Sequence, residues 1–110
     1  MIKMLSRFDL KPNVDLETFE KRYYEFCARA VQSGLAVGTD KIGRRISETP
    51  MDTDAKGTQE FYVVMSFRDR DQLDQAYEYM NNGLLNASDQ KPHTAIKHSV
   101  ENPVFTCWQE

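Results

Sequence analysis

Apolar residues occupy both faces of a predicted strand at 59–69, QEFYVVMSFRD. Successive side chains of a strand point to opposite faces of its sheet. One face carries Phe61, Val63, Met65 and Phe67, and the other carries Tyr62 and Val64. Both faces therefore need a cover, and a chain of 110 residues has little material to supply two.

The pattern of apolar residues in 2–33 predicts a strand followed by a helix. Alternate residues of 2–10 form an apolar line that is broken only by Ser6. Apolar residues then recur three and four positions apart over 16–33, which is typical of an amphipathic helix. Asp15 is a suitable N-cap for this helix, and Gly34 is placed to end it.

The remaining elements follow from weaker patterns. A second helix is predicted at 70–82, capped by Asp69 or Asp71, ended by Gly83, with Leu73, Ala76, Tyr77 and Met80 facing inward. An edge strand is predicted at 36–47 with a bulge at Gly38 or Gly43, a loop at 48–58, one or two helical turns after Pro92, and a last strand at 104–109.

The resulting order is strand, helix, strand, strand, helix, strand, which is the ferredoxin-like βαββαβ arrangement. We therefore expect an α+β fold with a four-stranded antiparallel sheet in a single domain, residues 1–110. Right-handed crossovers place both helices on one face of the sheet. The other face, with Leu5, Tyr62 and Val64, lacks a cover within the chain, so a second copy of the chain is expected to pack there as a homodimer.

Composition narrows the classes of partner. The formal net charge is −3, and Arg44 and Arg45 point to opposite faces of their strand, so no basic surface for nucleic acid is expected. A signal peptide and a membrane span are not visible, and we expect a cytoplasmic protein. Cys27 and Cys107 are expected to be buried, reduced thiols. Two histidines and two scattered thiols make a metal site unexpected.

The chain resembles the dimeric α/β-barrel proteins of the ferredoxin-like class, including the stress-responsive A/B-barrel domains. The resemblance rests on MIKMLSRFDLKP at the start, FEKRYYEF in the first helix, and FYVVMSFRDRDQLDQAYEYM running from strand into helix. It implies a homodimer with a small-molecule cavity between the helices and the sheet. The lining implied for this chain is Met4, Ser6, Phe8, Tyr23, Cys27, Val63, Met65 and Tyr77.

One position departs from the barrel-domain enzymes of this class. They carry a histidine where this chain has Met4, so the most obvious acid or base is absent. The candidates left for catalysis are Tyr23, Tyr77 and His93. Tyrosine hydroxyls on an apolar helix face need a polar partner or a path to water, and either outcome fits the sequence.

Three functions are consistent with these residues. The first is a homodimeric binding protein for a small apolar or aromatic compound, with or without a carboxylate group, held without a cofactor. The second is a cofactor-independent oxygenase, cyclase or isomerase acting on such a compound. The third is an interaction module that only dimerises. Polar groups converging in a largely apolar cavity would favour the first two.

Overall fold

The computed structural model describes residues 1–81 and 87–110. It contains strands β1 Ile2–Leu10, β2 Gly38–Thr39, β3 Gly43–Arg44, β4 Phe61–Phe67 and β5 Val100–Gln109, and helices α1 Leu16–Gln32, α2 Arg70–Asn81 and α3 Ala87–Ser99. The predicted end of the second helix at Gly83 lies outside the described residues. No helix in the described part of the chain is long and apolar enough to cross a membrane.

The strands form one antiparallel sheet in the order β2-β4-β1-β5, and β3 pairs with β4 beyond β2. This is the strand order of the ferredoxin-like fold, so the predicted fold class is confirmed. The register of β1 and β4 pairs Ile2 with Phe67 and Phe8 with Phe61. It therefore sets the two predicted apolar rows side by side on the face beneath the helices.

Helix α1 begins and ends as its sequence predicts. The Asp15 carboxylate accepts a hydrogen bond from the backbone N–H of Thr18 at 3.1 Å, which satisfies an amide that has no partner within the helix. Gly34 follows the C-cap with φ 76°, a conformation that glycine adopts without steric cost. The buried face of α1 consists of Phe19, Tyr23, Phe26 and Cys27.

The predicted edge strand at 36–47 is wrong in its continuity. Backbone hydrogen bonds to residues 60–67 continue at Val37, Asp40 and Arg45, but the strand pairing is interrupted between β2 and β3. The backbone N–H of Ile42 donates instead to the hydroxyl of Tyr24 on α1, at 2.8 Å. A side chain of the first helix thus replaces a ladder hydrogen bond.

The predicted inward position of Tyr77 is also wrong, because its side chain is 64% exposed. Helix α2 buries Gln72 and Ala76 instead, and Tyr77 lies one residue, about 100° around the helix, beyond Ala76. Asp69 rather than Asp71 caps α2, accepting from the Gln72 N–H at 2.9 Å.

The C-terminal third contains more regular structure than predicted. Helix α3 begins at Ala87 and includes Pro92, so the loss of one backbone donor at this proline is tolerated rather than marking the helix start.

Strand β5 begins four residues before the predicted 104–109. The reason is a bulge, because the pairing shifts between Arg7 and Asp9 and leaves Asn102 and Pro103 opposite Phe8 alone. A bulge is where a sheet accepts a proline and, at Asn102, a φ of 53°. Cys107 is exposed on β5, so the expectation that both thiols are buried holds for Cys27 only.

One face of the sheet lies under the helices and the other is open. The register places Phe105 and Cys107 of β5 opposite Ser6 and Met4 on the helix side. The open face carries Lys3, Leu5 and Arg7 of β1, Tyr62, Val64 and Ser66 of β4, and Val104, Thr106 and Trp108 of β5. Of the described residues there, Tyr62 is 45% exposed and Trp108 is 61% exposed.

Gly43 of β3 gives a test of how Tyr62 sits on the open face. A Cβ atom at Gly43 would overlap the Tyr62 ring and lie 2.8 Å from its Cζ atom, whereas a Cβ at Gly38 would meet nothing within 4 Å. We expect Gly43→Ala to lower the free energy of unfolding by about 1–3 kcal/mol relative to Gly38→Ala. Urea unfolding at one protein concentration measures both variants, and equal stabilities would show that the Tyr62 ring does not cover Gly43.

Candidate functional site

Seven of the eight residues predicted to line a cavity are brought together. Phe8, Tyr23, Cys27, Val63 and Met65 belong to the buried core cluster, Met4 packs against it, and Ser6 is buried. Phe8 lies 5.4 Å from Phe19 and 5.8 Å from Phe61 between ring centroids, so these side chains contact other core residues closely. Tyr77 is on the exposed surface of α2 and lies apart from them.

A group of hydroxyl and thiol side chains joins α1 to the edge of the sheet. The Tyr23 hydroxyl lies 2.9 Å from the Thr39 hydroxyl oxygen, and the single Thr39 hydroxyl hydrogen lies between the backbone carbonyl oxygens of Asp40 and Val64, which are 3.1 and 3.2 Å from the hydroxyl oxygen. Thr39 was not found by the sequence analysis, because it lies in the weakly patterned segment 36–47. The one indication in the sequence was indirect: a tyrosine on the inward face of α1 needs a polar partner for its hydroxyl, and Thr39 is that partner.

Burial controls the ionisation of this group. Desolvation raises the pKa of Tyr23 far above its usual range, although the Thr39 hydrogen bond acts in the opposite direction. Burial also raises the pKa of the Cys27 thiol to about 11. Both groups therefore stay protonated near neutral pH, where they can donate hydrogen bonds but cannot act as bases.

A narrow apolar cleft lies between α1, α2 and the sheet. It has room for about 20 Å³, close to the space of one water molecule. The lining residues are Phe26, Arg29, Ala30, Ser33, Leu35, Ala36, Met65, Phe67, Ala76, Tyr79 and Met80. Met65 is the one residue that this cleft shares with the predicted pocket. Arg29 is the one cation among the described lining residues, and it pairs with Glu25 at 3.8 Å.

His93 of α3 packs beside the same cleft. Its ring centroid lies 5.6 Å from that of Phe26, one of the lining residues. Partial burial and the charge of Lys97 lower the pKa of His93. The imidazole is therefore neutral near pH 7, with a nitrogen lone pair available to accept a proton.

A second, open cleft of about 720 Å³ lies in the 45–60 region. Arg45 anchors it by donating to the backbone carbonyls of Asp54 and Gly57. Asp54 also pairs with Arg7 at 3.2 Å, so the loop carboxylates neutralise arginines. Among the described residues, no group of three or more His, Cys, Asp or Glu is arranged to hold a metal ion.

The whole fold is similar to several solved structures. A protein from Arabidopsis thaliana has a TM-score of 0.73 and 9% identity, matching 100% of this chain and 95% of its own. SnoaB, a cofactor-independent oxygenase from Streptomyces nogalater, has a TM-score of 0.65 and 12% identity, over 99% and 91%. A dimeric protein of unknown function and ferredoxin-like fold from Bacteroides fragilis has a TM-score of 0.59 and 12% identity, over 99% and 95%.

At these identities the likeness is one of fold, and at that level the predicted resemblance to dimeric ferredoxin-like proteins is confirmed. No protein-family model and no curated protein sequence matches the chain.

The buried thiol predicts a pH dependence of stability. The unfolded chain releases the Cys27 proton near pH 9.0, and the folded chain retains it to about pH 11. In this interval the unfolded state binds fewer protons, so the free energy of unfolding falls as the pH rises. Tyr23 adds a contribution of the same sign above its ordinary pKa of 10.0.

Chemical unfolding across this pH interval checks the assignment. Cys27→Ala should make the decline shallower, and Cys107→Ala at the exposed thiol is the matched control and should leave it unchanged. Equal slopes for the Cys27→Ala variant and the parent would contradict the role of Cys27.

Proposed function

We propose that this chain forms a homodimer through the open faces of two sheets, and that each subunit binds a small apolar or aromatic molecule between its helices and its sheet. The observation that carries the dimer is the amount of exposed surface. The chain exposes 7578 Å², whereas a monomeric protein of 12.8 kDa exposes about 6,300 Å². The excess of about 1,300 Å² is more than the ~800 Å² that each partner of a stable interface buries.

The composition of the open face supports its use as an interface. Leu5 and Val64 are paired in the β1–β4 register and lie at its centre. Of the cations on either side, Arg7 pairs with Asp54, whereas Lys3 donates to the neutral Ser66 hydroxyl at 2.9 Å and keeps its charge. A second copy could therefore cover the apolar centre provided that the Lys3 ammonium group stays at the rim of the interface, in contact with water.

The cleft beneath α1 and α2 supports the ligand site. Its described wall is almost wholly apolar, which suits an apolar molecule. Arg29 lies at this wall but pairs with Glu25, so binding an anionic group would require it to exchange that partner. In the structure it admits only about one water molecule. Ligand entry therefore requires Met65 and Met80 to move, and the unbranched, flexible side chain of methionine permits this.

A second candidate is a cofactor-independent oxygenase, the printed activity of SnoaB, whose fold is similar. The observation that favours it is a neutral, half-buried His93 against Phe26 of the cleft wall. An imidazole in this state could remove a proton from a bound apolar compound. Tyr23 and Cys27 are too strongly held in their protonated forms to take that role, and Tyr77 is exposed and is not among the described lining residues.

The dimer is tested by placing a charge on the open face. Val64→Asp should give a monomer or an aggregate in light scattering coupled to size exclusion, because it would bury two unpaired carboxylates in the interface. Val31→Asp is the matched control, since Val31 lies on α1 and is 41% exposed, and it should remain dimeric. A monodisperse dimer of Val64→Asp would contradict the proposed interface.

The ligand site is tested with 2-naphthoate, an aromatic carboxylate, titrated by calorimetry. We expect Ala76→Phe, which fills the cleft, to abolish binding, and Arg29→Gln to weaken it about tenfold, the loss expected of one charge-assisted hydrogen bond. Arg22→Gln on the exposed surface of α1 is the control and should bind as the parent does. Unchanged binding by Ala76→Phe would rule out the cleft as the site.

A further inference from the structure

Lys3 differs from the arginines of the sheet because its partner within the chain is neutral. The arginines on β1 and on or beside β3 each pair with a carboxylate, and these pairs are Arg7–Asp54, Arg44–Glu60 and Arg45–Asp52. Lys3 instead donates to the hydroxyl of Ser66 at 2.9 Å, and it forms no ion pair with any described residue. A half-buried ammonium group in this state favours an anion from outside the chain.

The Lys3–Ser66 pair presents only donors to the open face. An ammonium group cannot accept a hydrogen bond, so the serine oxygen is the acceptor in this bond and the serine hydrogen is turned elsewhere. Within the described chain the Ser66 side chain makes no other hydrogen bond. The two outward donors are about one hydrogen bond apart. The two oxygens of one carboxylate, which are acceptors only, can therefore each accept from one of them.

The surroundings leave room for a carboxylate and for a body attached to it. Gly38, Ser66, Lys3 and Trp108 are paired across β2, β4, β1 and β5, so they form one row on the open face. At one end of the row, a Cβ atom at Gly38 would meet nothing within 4 Å. At the other end the Trp108 indole donates to the Thr106 hydroxyl at 2.9 Å, and its ring offers an apolar surface beside Lys3.

From these contacts we propose that this row is a binding site for a small aromatic carboxylate. One carboxylate oxygen accepts from Lys3, the other accepts from Ser66, and the aromatic body lies against Trp108. The site is complete within one chain and lies on the opposite side of the sheet from the cleft beneath α1 and α2, so it is a second site. Because the row is close to the end of β1, β4 and β5, a second copy covering Leu5 and Val64 can leave it at the rim.

The single tryptophan of the chain makes this site directly observable. We expect titration of the full chain with benzoate, at constant ionic strength, to change the fluorescence of Trp108 in a saturable way. Benzamide, which has the same ring and no charge, should bind at least about tenfold more weakly. Lys3→Met and Ser66→Ala should each weaken benzoate binding about tenfold, the loss expected of one hydrogen bond to a charged group.

Two control variants separate this site from the rest of the molecule. Lys21→Met removes the same charge from the exposed surface of α1 and should bind benzoate as the parent does. Ala76→Phe, which fills the cleft beneath α1 and α2, should also leave the titration unchanged, and circular dichroism checks that each variant is folded.

Two results would overturn the site. Parent-like affinity in Lys3→Met, or a parent titration that does not saturate, would show that Lys3 holds no carboxylate. Loss of the signal in Ala76→Phe would place benzoate in the cleft, which would overturn the second site while supporting the ligand site proposed above.

Discussion

The antiparallel pairing of β1 with β4 is the constraint on which the other features depend. Its register sets Ile2, Ser6 and Phe8 against Phe67, Val63 and Phe61. A slip of one residue would leave one apolar row under the helices and turn the other toward the open face. Because both rows lie under the helices, the side chains that face the opposite way have no helix over them. The open face is thus a consequence of building the core on the helix side of the sheet. It is the reason that we propose a second copy of the chain as its cover.

The edge of the sheet under α1 shows how side-chain hydroxyls replace strand pairing. Tyr23 and Tyr24 are consecutive residues, so they point in different directions from the helix. One reaches Thr39 at the end of β2, and the other reaches the Ile42 amide in the gap before β3. The same two residues that look like ordinary core tyrosines in sequence therefore hold the broken edge in place. Their hydroxyls serve the fold, which leaves His93 as the remaining predicted candidate for chemistry near the cleft.

The sequence was sufficient for the fold and for most of the core, because the run of apolar residues in 59–69 and the helical periodicity in 16–33 are strong local signals. It was insufficient where the local structure depended on residues far away in the sequence. The break at 40–42 depends on Tyr24, and the length of β5 depends on a bulge opposite Phe8. Tyr77 was misplaced because α2 buries a glutamine, Gln72, whose amide donates to the Gly34 carbonyl at 3.0 Å and whose side-chain oxygen accepts from the Arg68 amide at 2.6 Å. An apolar pattern gives no indication of a buried polar residue that both donates and accepts.

The bond between the Ile42 amide and Tyr24 ties the exposure of the sheet edge to the packing of α1. Unfolding of α1 would release that amide, and an unpaired backbone N–H at a sheet edge is a place where another chain can add a strand. At this edge the packing of α1 thus bears on solubility as well as on stability.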